Sequence, residues 1–216
     1  MASDLSERLE KCYTGAVHDV MRGMGFRDFV LPPSIRPLIL ERRLCGPAFT
    51  VRGRVEPSAD AHRTLVEWTG LLSRAKPGTV VVCQPNDSVV AHMGELSAET
   101  LQLRGIRGYI VDGGCRDTDG ILKLGFPVWC RYFTPRDVVG YWVPDAIEVP
   151  ITIGSVTIRS GDSILADRDG AVVIPQADAE KILARTEEIM ARENLVRNAI
   201  RQGMDPQQAY LQHGKF

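Results

Sequence analysis

The sequence predicts an α/β fold: a parallel layer of strands and helices, then a strand-rich C-terminal half and a long C-terminal helix. Between residues 79 and 130, three apolar β-rich segments alternate with two helical segments over short links, which is typical of a parallel layer with right-handed crossovers. After residue 135 the sequence pattern predicts short strands separated by turns. The chain has 216 residues. We interpret it as one domain, residues 1–216, with residues 175–216 as a helical C-terminal extension.

The N-terminal quarter is predicted to be one helix followed by an irregular segment. Apolar residues recur at steps of three and four from Leu5 to Met21, so one helix buries one face and ends near Gly23. Three prolines within residues 29–37 indicate an irregular connection. Residues 49–51, Phe-Thr-Val, are rich in β-forming side chains and predict a strand.

Alternating helices and strands make up the middle of the chain. A helix is predicted from Asp60 to Ser73, and its inward-facing residues are Leu65, Trp68, Leu71 and Leu72. The layer that follows has predicted strands at Thr79–Cys83, Tyr109–Asp112 and Pro127–Cys130, and predicted helices at Gly94–Arg104 and Asp117–Leu124. The first of these strands is apolar on both faces, as a central parallel strand is. Gly113-Gly114 is predicted to be a turn.

The C-terminal half is predicted to be short strands and a long helix. The strands fall at Ile147–Ile153, Val156–Ile158, Ser163–Ala166 and Ala171–Ile174. The Asp-Arg-Asp-Gly segment 167–170 is a turn between the last two. The helix from Ala177 to about Arg201 carries many charges around a few apolar residues. Two placements of this helix stay open: it packs partly against a neighbouring subunit, or it covers the sheet of its own chain.

Composition argues against several classes of protein. The formal net charge is −1 and no Lys/Arg cluster is evident, which argues against a nucleic-acid partner. No apolar run approaches the roughly 20 residues that span a bilayer, and no signal peptide is evident, so we expect no membrane association. The five cysteines are widely spaced without a C-x-x-C pair. That spacing favours the reducing cytoplasm over a disulfide framework or a zinc site.

Two loops of the parallel layer are candidates to bind a ligand. In an open parallel sheet, ligands bind beyond the carboxyl ends of the strands. Residues 94–97, Gly-Glu-Leu-Ser, and residues 113–117, Gly-Gly-Cys-Arg-Asp, both follow such ends and run into a helix. The N–H groups and the positive dipole end of each helix therefore face the crevice, which suits a carboxylate or phosphate. The glycines, Gly94 among them, let the backbone approach a ligand closely.

Arg116, Asp117 and Glu95 are the candidate catalytic and metal-binding residues. An arginine fork grips a carboxylate at two points and stabilises an enolate oxygen. An aspartate and a glutamate on neighbouring loops suit a hard divalent ion such as Mg²⁺, which prefers oxygen ligands. A purely structural alternative stays open: Asp117 caps its helix, Glu95 complements a helix dipole, and Arg116 forms a surface ion pair.

Two further residues of these loops are weaker candidates. His92 stands two residues before Gly94 and is placed to act as an acid or base. A lone loop histidine is more often a solvated or structural residue. Cys115 lies next to Arg116, but it has no base partner in the sequence, so we expect a small packed residue.

The order and spacing of several motifs resemble a known family. Glu95 is followed, after twenty intervening residues, by Arg116-Asp117. Around them stand Gly-Glu-Leu at 94–96 and Asp-Gly-Gly-Cys-Arg-Asp at 112–117. Further matching stretches, spread over nearly the whole chain, are Gly15–Asp19, Ile35–Pro37, Cys45–Ala48, Gly125–Trp129 and Asp167–Gly170. In these motifs the chain resembles the family of 4-hydroxy-4-methyl-2-oxoglutarate aldolases and regulators of ribonuclease activity A.

The resemblance implies a layered α/β/β/α swivelling domain that assembles as homotrimers or homohexamers, with sites between subunits. It implies a carbon–carbon lyase, a divalent-metal-dependent pyruvate aldolase that cleaves a 4-hydroxy-2-oxo acid to pyruvate plus a second oxo acid and decarboxylates oxaloacetate. It also implies an alternative, a non-catalytic regulator that binds ribonuclease E. The lysines fall outside the crevice loops, which favours Mg²⁺, Mn²⁺ or another divalent ion over a Schiff base.

The resemblance also implies roles for the crevice residues. Asp117 would bind the metal directly, Glu95 would hold it through water, and Arg116 would bind the pyruvyl moiety. The backbone amides of Leu96 and Ser97 would take the substrate carboxylate. Glu95 stands where the family more often has aspartate, and its longer side chain moves the carboxylate outward.

One implied residue comes from outside the crevice. The resemblance places an acid of the C-terminal helix in the site of a neighbouring subunit, and Glu193 is the match in this sequence. That placement agrees with a C-terminal extension, residues 175–216, that packs on a neighbour.

Overall fold

The computed structural model describes residues 2–214, with side chains from residue 4. Its helices are Ala2–Glu10 (α1), Thr14–Gly23 (α2), Ala61–Arg74 (α3), Glu95–Leu103 (α4), Thr118–Leu124 (α5), Ala179–Arg201 (α6) and Pro206–His213 (α7). Its strands are Arg36–Pro37 (β1), Leu44–Val55 (β2), Val80–Gln84 (β3), Gly108–Val111 (β4), Gly114–Cys115 (β5), Val128–Cys130 (β6), Tyr132–Phe133 (β7), Trp142–Ile147 (β8), Ile151–Ile153 (β9), Val156–Ile158 (β10), Ser163–Asp167 (β11) and Gly170–Ile174 (β12). A 3-10 turn, Gln176–Asp178, precedes α6.

The main sheet is mixed and has a parallel centre. Its order is β1-β6-β4-β3-β2-β11-β12, with β8 also paired to β2. Strands β2, β3, β4 and β6 run parallel, and helices α3, α4 and α5 connect them in turn. Strands β1, β8, β11 and β12 pair antiparallel. The predicted α/β fold, with its parallel layer, strand-rich C-terminal half and long C-terminal helix, is confirmed.

Both faces of the sheet centre are buried, which explains the continuous apolar run of β3. Val81 and Cys83 contribute to a core beneath α3, α4 and α5, whereas Val80 and Val82 face a second core beneath the β9–β10 hairpin. A third apolar cluster joins α1, α2 and α6 to β11 and β12. The helices and the hairpin therefore cover opposite faces of one sheet, as a layered α/β fold requires.

The single predicted N-terminal helix is wrong, because the structure has two, α1 and α2. Helix α2 begins at Thr14, whose N–H and hydroxyl donate to the Asp167 carboxylate at 2.9 and 2.8 Å. Asp167 is buried and lies 153 positions further along the chain, so local periodicity cannot reveal this contact. The three-and-four spacing persists across the break because both helices bury one face in the same cluster.

Three smaller predictions also differ from the structure. Residues 147–153, predicted as one strand, are divided between β8 and β9, and Glu148 between them has a left-handed φ of 55°. Gly114, predicted in a turn, pairs in β5 with β7. Leu65, predicted to face inward, is 48% exposed, because it lies at the open edge of α3 beside a cleft.

Helix α6 covers its own chain along its first half. Ile182 and Leu183 are fully buried, in the cluster with α1 and α2. In the second half Val196 is buried while Leu195 is 55% exposed, and α7 packs against α6. The packing of residues 175–216 on a neighbouring subunit stays a prediction, and residues 215–216 lie outside the described part of the chain.

All five cysteines are buried and free of disulfides. Within residues 2–214, no helix is both long enough and apolar enough to cross a bilayer.

Candidate functional site

A cleft of about 310 Å³ opens beyond the ends of the parallel strands β3 and β4. Its walls come from α3, from α4 and the loop before it, from residues 116–117 and from residues 137–139. This is the carboxyl edge of the sheet, where ligands of parallel α/β folds bind. The structure therefore brings the two loops predicted from the sequence to one cavity.

The backbone holds these two loops in close contact. The Arg116 N–H donates to the carbonyl oxygen of Met93 at 2.9 Å. A Cβ added at Gly94 would lie 2.7 Å from Asp117 Oδ2 and 3.3 Å from Arg116 Cγ. Any side chain at position 94 would therefore push the ion pair away, which explains the glycine there.

Arg116 is the one arginine or lysine among the described residues that line the cleft. It lies between two carboxylates: its Nε is 3.4 Å from Asp117 Oδ2 and its Nη1 is 3.5 Å from Asp137 Oδ2. The side chain is 37% exposed. Because both contacts are long for hydrogen bonds, N–H groups of the guanidinium remain available to grip a carboxylate at two points.

Asp117 has a left-handed backbone, with φ 54° and ψ 36°. Aspartate tolerates this region better than most residues, and such conformations cluster at functional sites. Its side chain makes no capping hydrogen bond to α5. Instead, Oδ2 accepts the Glu95 N–H at the start of α4, at 3.3 Å. Asp117 is the N-cap residue of α5, but the side-chain cap of the structural alternative is absent. The rest of that alternative agrees with the structure, since Glu95 lies in the first turn of α4 and Arg116 forms ion pairs. The cleft receives a half-exposed Asp117 carboxylate.

The N-terminus of α4 faces the cleft. Gly94 is the N-cap and supplies no side-chain cap. Helix geometry leaves the N–H groups of the first turn without an intrahelical acceptor, and Leu96 and Ser97 of that turn line the cleft. The Ser97 hydroxyl is fixed because it accepts the indole N–H of Trp68 at 2.9 Å. These amides and the helix dipole favour a carboxylate ligand.

Two predicted residues lie elsewhere in the chain. The Glu95 carboxylate lies over α5, where a Cβ added at Gly120 would be 2.1 Å from Glu95 Cδ. Glu193 accepts a hydrogen bond from the Tyr13 hydroxyl and lines a separate groove on α6. One chain therefore gathers Gly94, Leu96, Ser97, Arg116 and Asp117 at the cleft. The carboxylates of Glu95 and Glu193 do not line it.

The carboxylates beside Arg116, those of Asp117 and Asp137, fit a hard cation that keeps most of its water ligands. Within residues 2–214, no group of three or more His, Cys, Asp or Glu side chains is placed to hold a metal. The few carboxylates near Arg116 therefore do not suit zinc, which takes three or four protein ligands. Mg²⁺ is commonly bound through one or two carboxylates and keeps several waters. Asp117 is half-exposed at an open cleft, so its carboxylate could be the one direct protein ligand of such an ion.

The two weaker candidates are buried, and His92 also lines the cleft. His92 is fully buried, its Nε2 lies 3.4 Å from Asp87 Oδ2, and its ring packs edge-on against Trp142. Burial lowers the pKa of His92 to about 4 despite the nearby Asp87 carboxylate, so the imidazole is neutral at physiological pH. The Cys115 thiol has a raised pKa because of its hydrogen bond with Cys130 and its burial, so it is not a reactive thiolate.

Sequence reasoning missed Asp137 and the second role of Trp68. Asp137 lies in the loop after β7. The one signal in the sequence was weak: Asp137 follows the third predicted parallel strand, but a second short strand, β7, separates them. Trp68 was predicted as a core residue. Its hydrogen bond to Ser97 crosses from α3 to α4, and a helical pattern does not reveal such a contact.

Known proteins resemble this chain over most of its length. A protein of Halalkalibacterium halodurans named "Putative 4-hydroxy-4-methyl-2-oxoglutarate aldolase" is 31% identical over 183 residues, which are 84% of this chain and 83% of that protein. A crystal structure described as that of "novel cellulases from microbes associated with the gut ecosystem" is 34% identical, with a TM-score of 0.85, over 90% of this chain and 87% of the other. Streptomyces coelicolor RraAS2, described as an unusual member of the RNase ES inhibitor RraA protein family, is 27% identical, with a TM-score of 0.80, over 90% and 96%.

The family assignment rests on a match that contains the whole cleft. The family model described as "RraA-like: Aldolase/RraA" matches residues 14–173, which include every residue named above in the cleft wall. Helix α1 and the whole C-terminal helical region, which carries Glu193, lie outside that match. The resemblance inferred from the motifs around Glu95 and Arg116-Asp117 is confirmed: the chain belongs to the RraA-like family.

Proposed function

We propose that the chain is a divalent-metal-dependent lyase that cleaves a 4-hydroxy-2-oxo acid to pyruvate and a second oxo acid, with oxaloacetate decarboxylation as a side activity. The observation that carries the proposal is the meeting of Arg116, Asp117 and the N-terminus of α4 in one small cleft. The aldolase name of the H. halodurans relative supports the lyase class. Metal-dependent release of pyruvate is the experiment that tests it.

The α4 side of the cleft binds the pyruvyl end of the substrate. The substrate carboxylate accepts the N–H groups of Leu96 and Ser97 at the positive end of the helix dipole. Arg116 grips the same end of the molecule from the opposite wall with its planar fork. The chain positions both elements: the Trp68–Ser97 hydrogen bond ties the first turn of α4 to α3, and the Arg116 N–H bond to Met93 fixes the backbone that carries the guanidinium. Such preorganisation lowers the cost of orienting the substrate.

In the cleavage step the 4-hydroxyl group gives its proton to a water in the cleft, C4 becomes the carbonyl carbon of the second oxo acid, and the electron pair of the C3–C4 bond moves through C3 onto the 2-oxo oxygen as an enolate. A proton from the same water then returns to C3, which gives pyruvate. A divalent ion held by Asp117 supplies, when bound, positive charge against the 2-oxo oxygen. Arg116 donates an N–H to it and so stabilises the enolate more than the ground-state ketone. Asp117 in turn orients the Arg116 fork. Glu95 is assigned a role only through water in this scheme, because its carboxylate lies over Gly120 and does not line the cleft.

The complete site is proposed to lie between subunits of a homotrimer or homohexamer. Glu193 of one subunit holds a water beside the substrate in the cleft of the next. The support for this role is the family resemblance, which places an acid of the C-terminal helix in a neighbour's site, together with the place of Glu193 on a groove of α6.

Complementation between inactive variants tests the role of Glu193 across the interface. Glu193→Ala and Arg116→Ala proteins are each expected to be inactive. When their subunits exchange, some interfaces pair an intact Arg116 with an intact Glu193, so partial pyruvate release should return. Glu188→Ala, on the same helix, is the matched control and should stay active. Demonstrated subunit exchange without recovered activity contradicts a shared site, and an active Glu193→Ala protein removes that residue from the mechanism.

Two other activities occur in the descriptions of the relatives named above. A regulator that binds ribonuclease E is the second candidate, favoured by the similarity to RraAS2, and turnover of oxaloacetate with Mg²⁺ or Mn²⁺ discriminates it from a lyase. Cellulose cleavage has no support from the cleft. Its volume of about 310 Å³ is at the lower end for small-molecule sites, and a polysaccharide requires an extended groove.

A further inference from the structure

Asp137 is the second carboxylate beside Arg116, and it reaches the cleft from a separate segment of the chain. Its Oδ2 lies 3.5 Å from Arg116 Nη1, whereas Asp117 Oδ2 lies 3.4 Å from Arg116 Nε. The two carboxylates therefore contact different nitrogens of one guanidinium. In the proposed reaction Arg116 binds the substrate and Asp117 binds the metal, so Asp137 is the member of this cluster that still lacks a role.

Backbone hydrogen bonds join the segment that carries Asp137 to both loops of the cleft. This segment follows β7, which pairs with β5 in the loop that leads to the arginine. The Thr134 N–H donates to the carbonyl oxygen of Cys115 at 3.1 Å, and the Ala91 N–H donates to that of Arg136 at 2.9 Å. The backbone immediately before Asp137 is thus bonded to the loop of the arginine and to the segment that leads into α4.

The carboxylate of Asp137 has one oxygen engaged by its own loop and one near Arg116. Oδ1 accepts the Val139 N–H at 3.2 Å, which closes a local turn of the kind that aspartate and asparagine side chains form. Oδ2 faces the guanidinium. The turn holds the carboxylate in place, and the long arginine side chain loses rotamer freedom when it pairs with it. Because both side chains are partly exposed, the pair contributes little to the stability of the fold.

A cation at Asp117 gives Asp137 a function. When a divalent ion binds the Asp117 carboxylate, its two positive charges lie close to Arg116 and repel the guanidinium. Without another partner, Arg116 and the ion would compete for the same carboxylate. A carboxylate at a different guanidinium nitrogen holds Arg116 at the cleft without occupying Asp117.

We propose that Asp137 is the positioning residue of Arg116: it holds the guanidinium at the cleft and thereby leaves Asp117 available to a divalent cation. The inference rests on the proposed function for the cation at Asp117 and adds a residue to that site. Asp137 contacts neither the substrate nor the cation in this arrangement and acts through Arg116. Its effect on cation binding is therefore expected to disappear when Arg116 is removed.

Binding of Mn²⁺ to the full chain without substrate measures this effect apart from turnover. Asp137→Asn keeps a side-chain oxygen for the Val139 N–H and loses the negative charge that faces Arg116, so the loop and the Tm should be retained. Calorimetry is expected to give a Kd for Mn²⁺ about tenfold higher than that of the wild-type protein, because Arg116 then pairs with Asp117 and opposes the ion. A wild-type Kd in the Asp137→Asn protein overturns the proposal.

The same substitution in an Arg116→Ala protein separates positioning from a general loss of charge. With no guanidinium to hold, Asp137→Asn should change the Kd for Mn²⁺ by less than about twofold, since the two sites are coupled. An equal loss of affinity with and without Arg116 means that Asp137 acts on the ion directly, and it overturns the proposal. Glu99→Gln is the control, because it removes an exposed carboxylate of α4 outside the cleft wall and should leave the Kd unchanged.

Pyruvate release, measured on the same proteins, separates this inference from the proposed reaction. Pyruvate release by the wild-type protein together with a wild-type Mn²⁺ affinity of Asp137→Asn supports the reaction and overturns the role of Asp137. Mn²⁺ binding that depends on Asp137 through Arg116, without pyruvate from any oxo acid, supports the role and overturns the reaction. A wild-type protein that binds no Mn²⁺ overturns both. The inference predicts that Mn²⁺ affinity depends on Asp137 only while Arg116 is present.

Discussion

Pyruvate release is expected to fall by roughly a thousandfold when Asp117 is replaced by alanine, because several kcal/mol of charge stabilisation are lost with the metal. The half-exposed carboxylate at the cleft is the proposed direct ligand. The fold should survive. The alanine must occupy a left-handed conformation, φ 54°, which costs about 1 kcal/mol relative to aspartate. Initial rates at saturating Mg²⁺ and urea unfolding of both proteins check the two effects.

Asp117→Asn is the matched control for the backbone. Asparagine tolerates the left-handed region. It also keeps a side-chain oxygen that can accept the Glu95 N–H, which lies 3.3 Å from Asp117 Oδ2 in the wild-type protein. It loses only the negative charge. We therefore expect wild-type stability with the same loss of activity as alanine. Wild-type turnover by the asparagine variant at saturating Mg²⁺ would show that Asp117 only supports the loop.

Arg116→Lys is expected to lower kcat/KM on the order of 100-fold, nearly as much as Arg116→Ala. Lysine keeps the charge but loses the planar fork that contacts the carboxylate and the developing enolate at two points. It also cannot span the positions of Asp117 and Asp137, which lie 3.4 and 3.5 Å from different guanidinium nitrogens. Steady-state kinetics should show a lower kcat together with a raised KM, because ground-state and transition-state contacts are both affected.

Arg131→Lys is the control for a general effect of removing an arginine. Arg131 pairs with Asp112 at 3.4 Å and does not line the cleft, so kcat/KM should stay close to wild type. A near-normal Arg116→Lys protein would mean that charge alone is needed at this position. The proposed two-point grip on the pyruvyl end would then be wrong.

Much of the fold and part of the site follow from local sequence. The run at residues 79–83 is apolar on both sides because Val81 faces the core under the helices and Val82 faces the core under the hairpin. The two ligand-binding loops, residues 94–97 and 113–117, were predictable because each follows the end of a strand and leads into a helix. Topology then requires Arg116 and the α4 N-terminus to meet at the same edge of the sheet.

Contacts between distant segments were not predictable. The break between α1 and α2 depends on Asp167 binding Thr14, and neither residue signals the other locally. Leu65 matches a buried helical position but borders an opening that only the packing of α3 on α4 creates. Asp137 enters the site from a loop after a two-residue strand, β7, which is too short to be found from its composition.

Pyruvate release from a 4-hydroxy-2-oxo acid, followed as divalent metal is removed and returned, tests the central claim most directly. Exhaustive chelation with EDTA is expected to abolish release by the wild-type protein, and Mg²⁺ or Mn²⁺ should restore it. Asp117→Asn protein should remain inactive throughout, since its site lacks the ligand charge. Full pyruvate release by metal-free wild-type protein would contradict the metal-dependent mechanism, and no pyruvate at any metal concentration from any oxo acid tested would contradict the lyase itself.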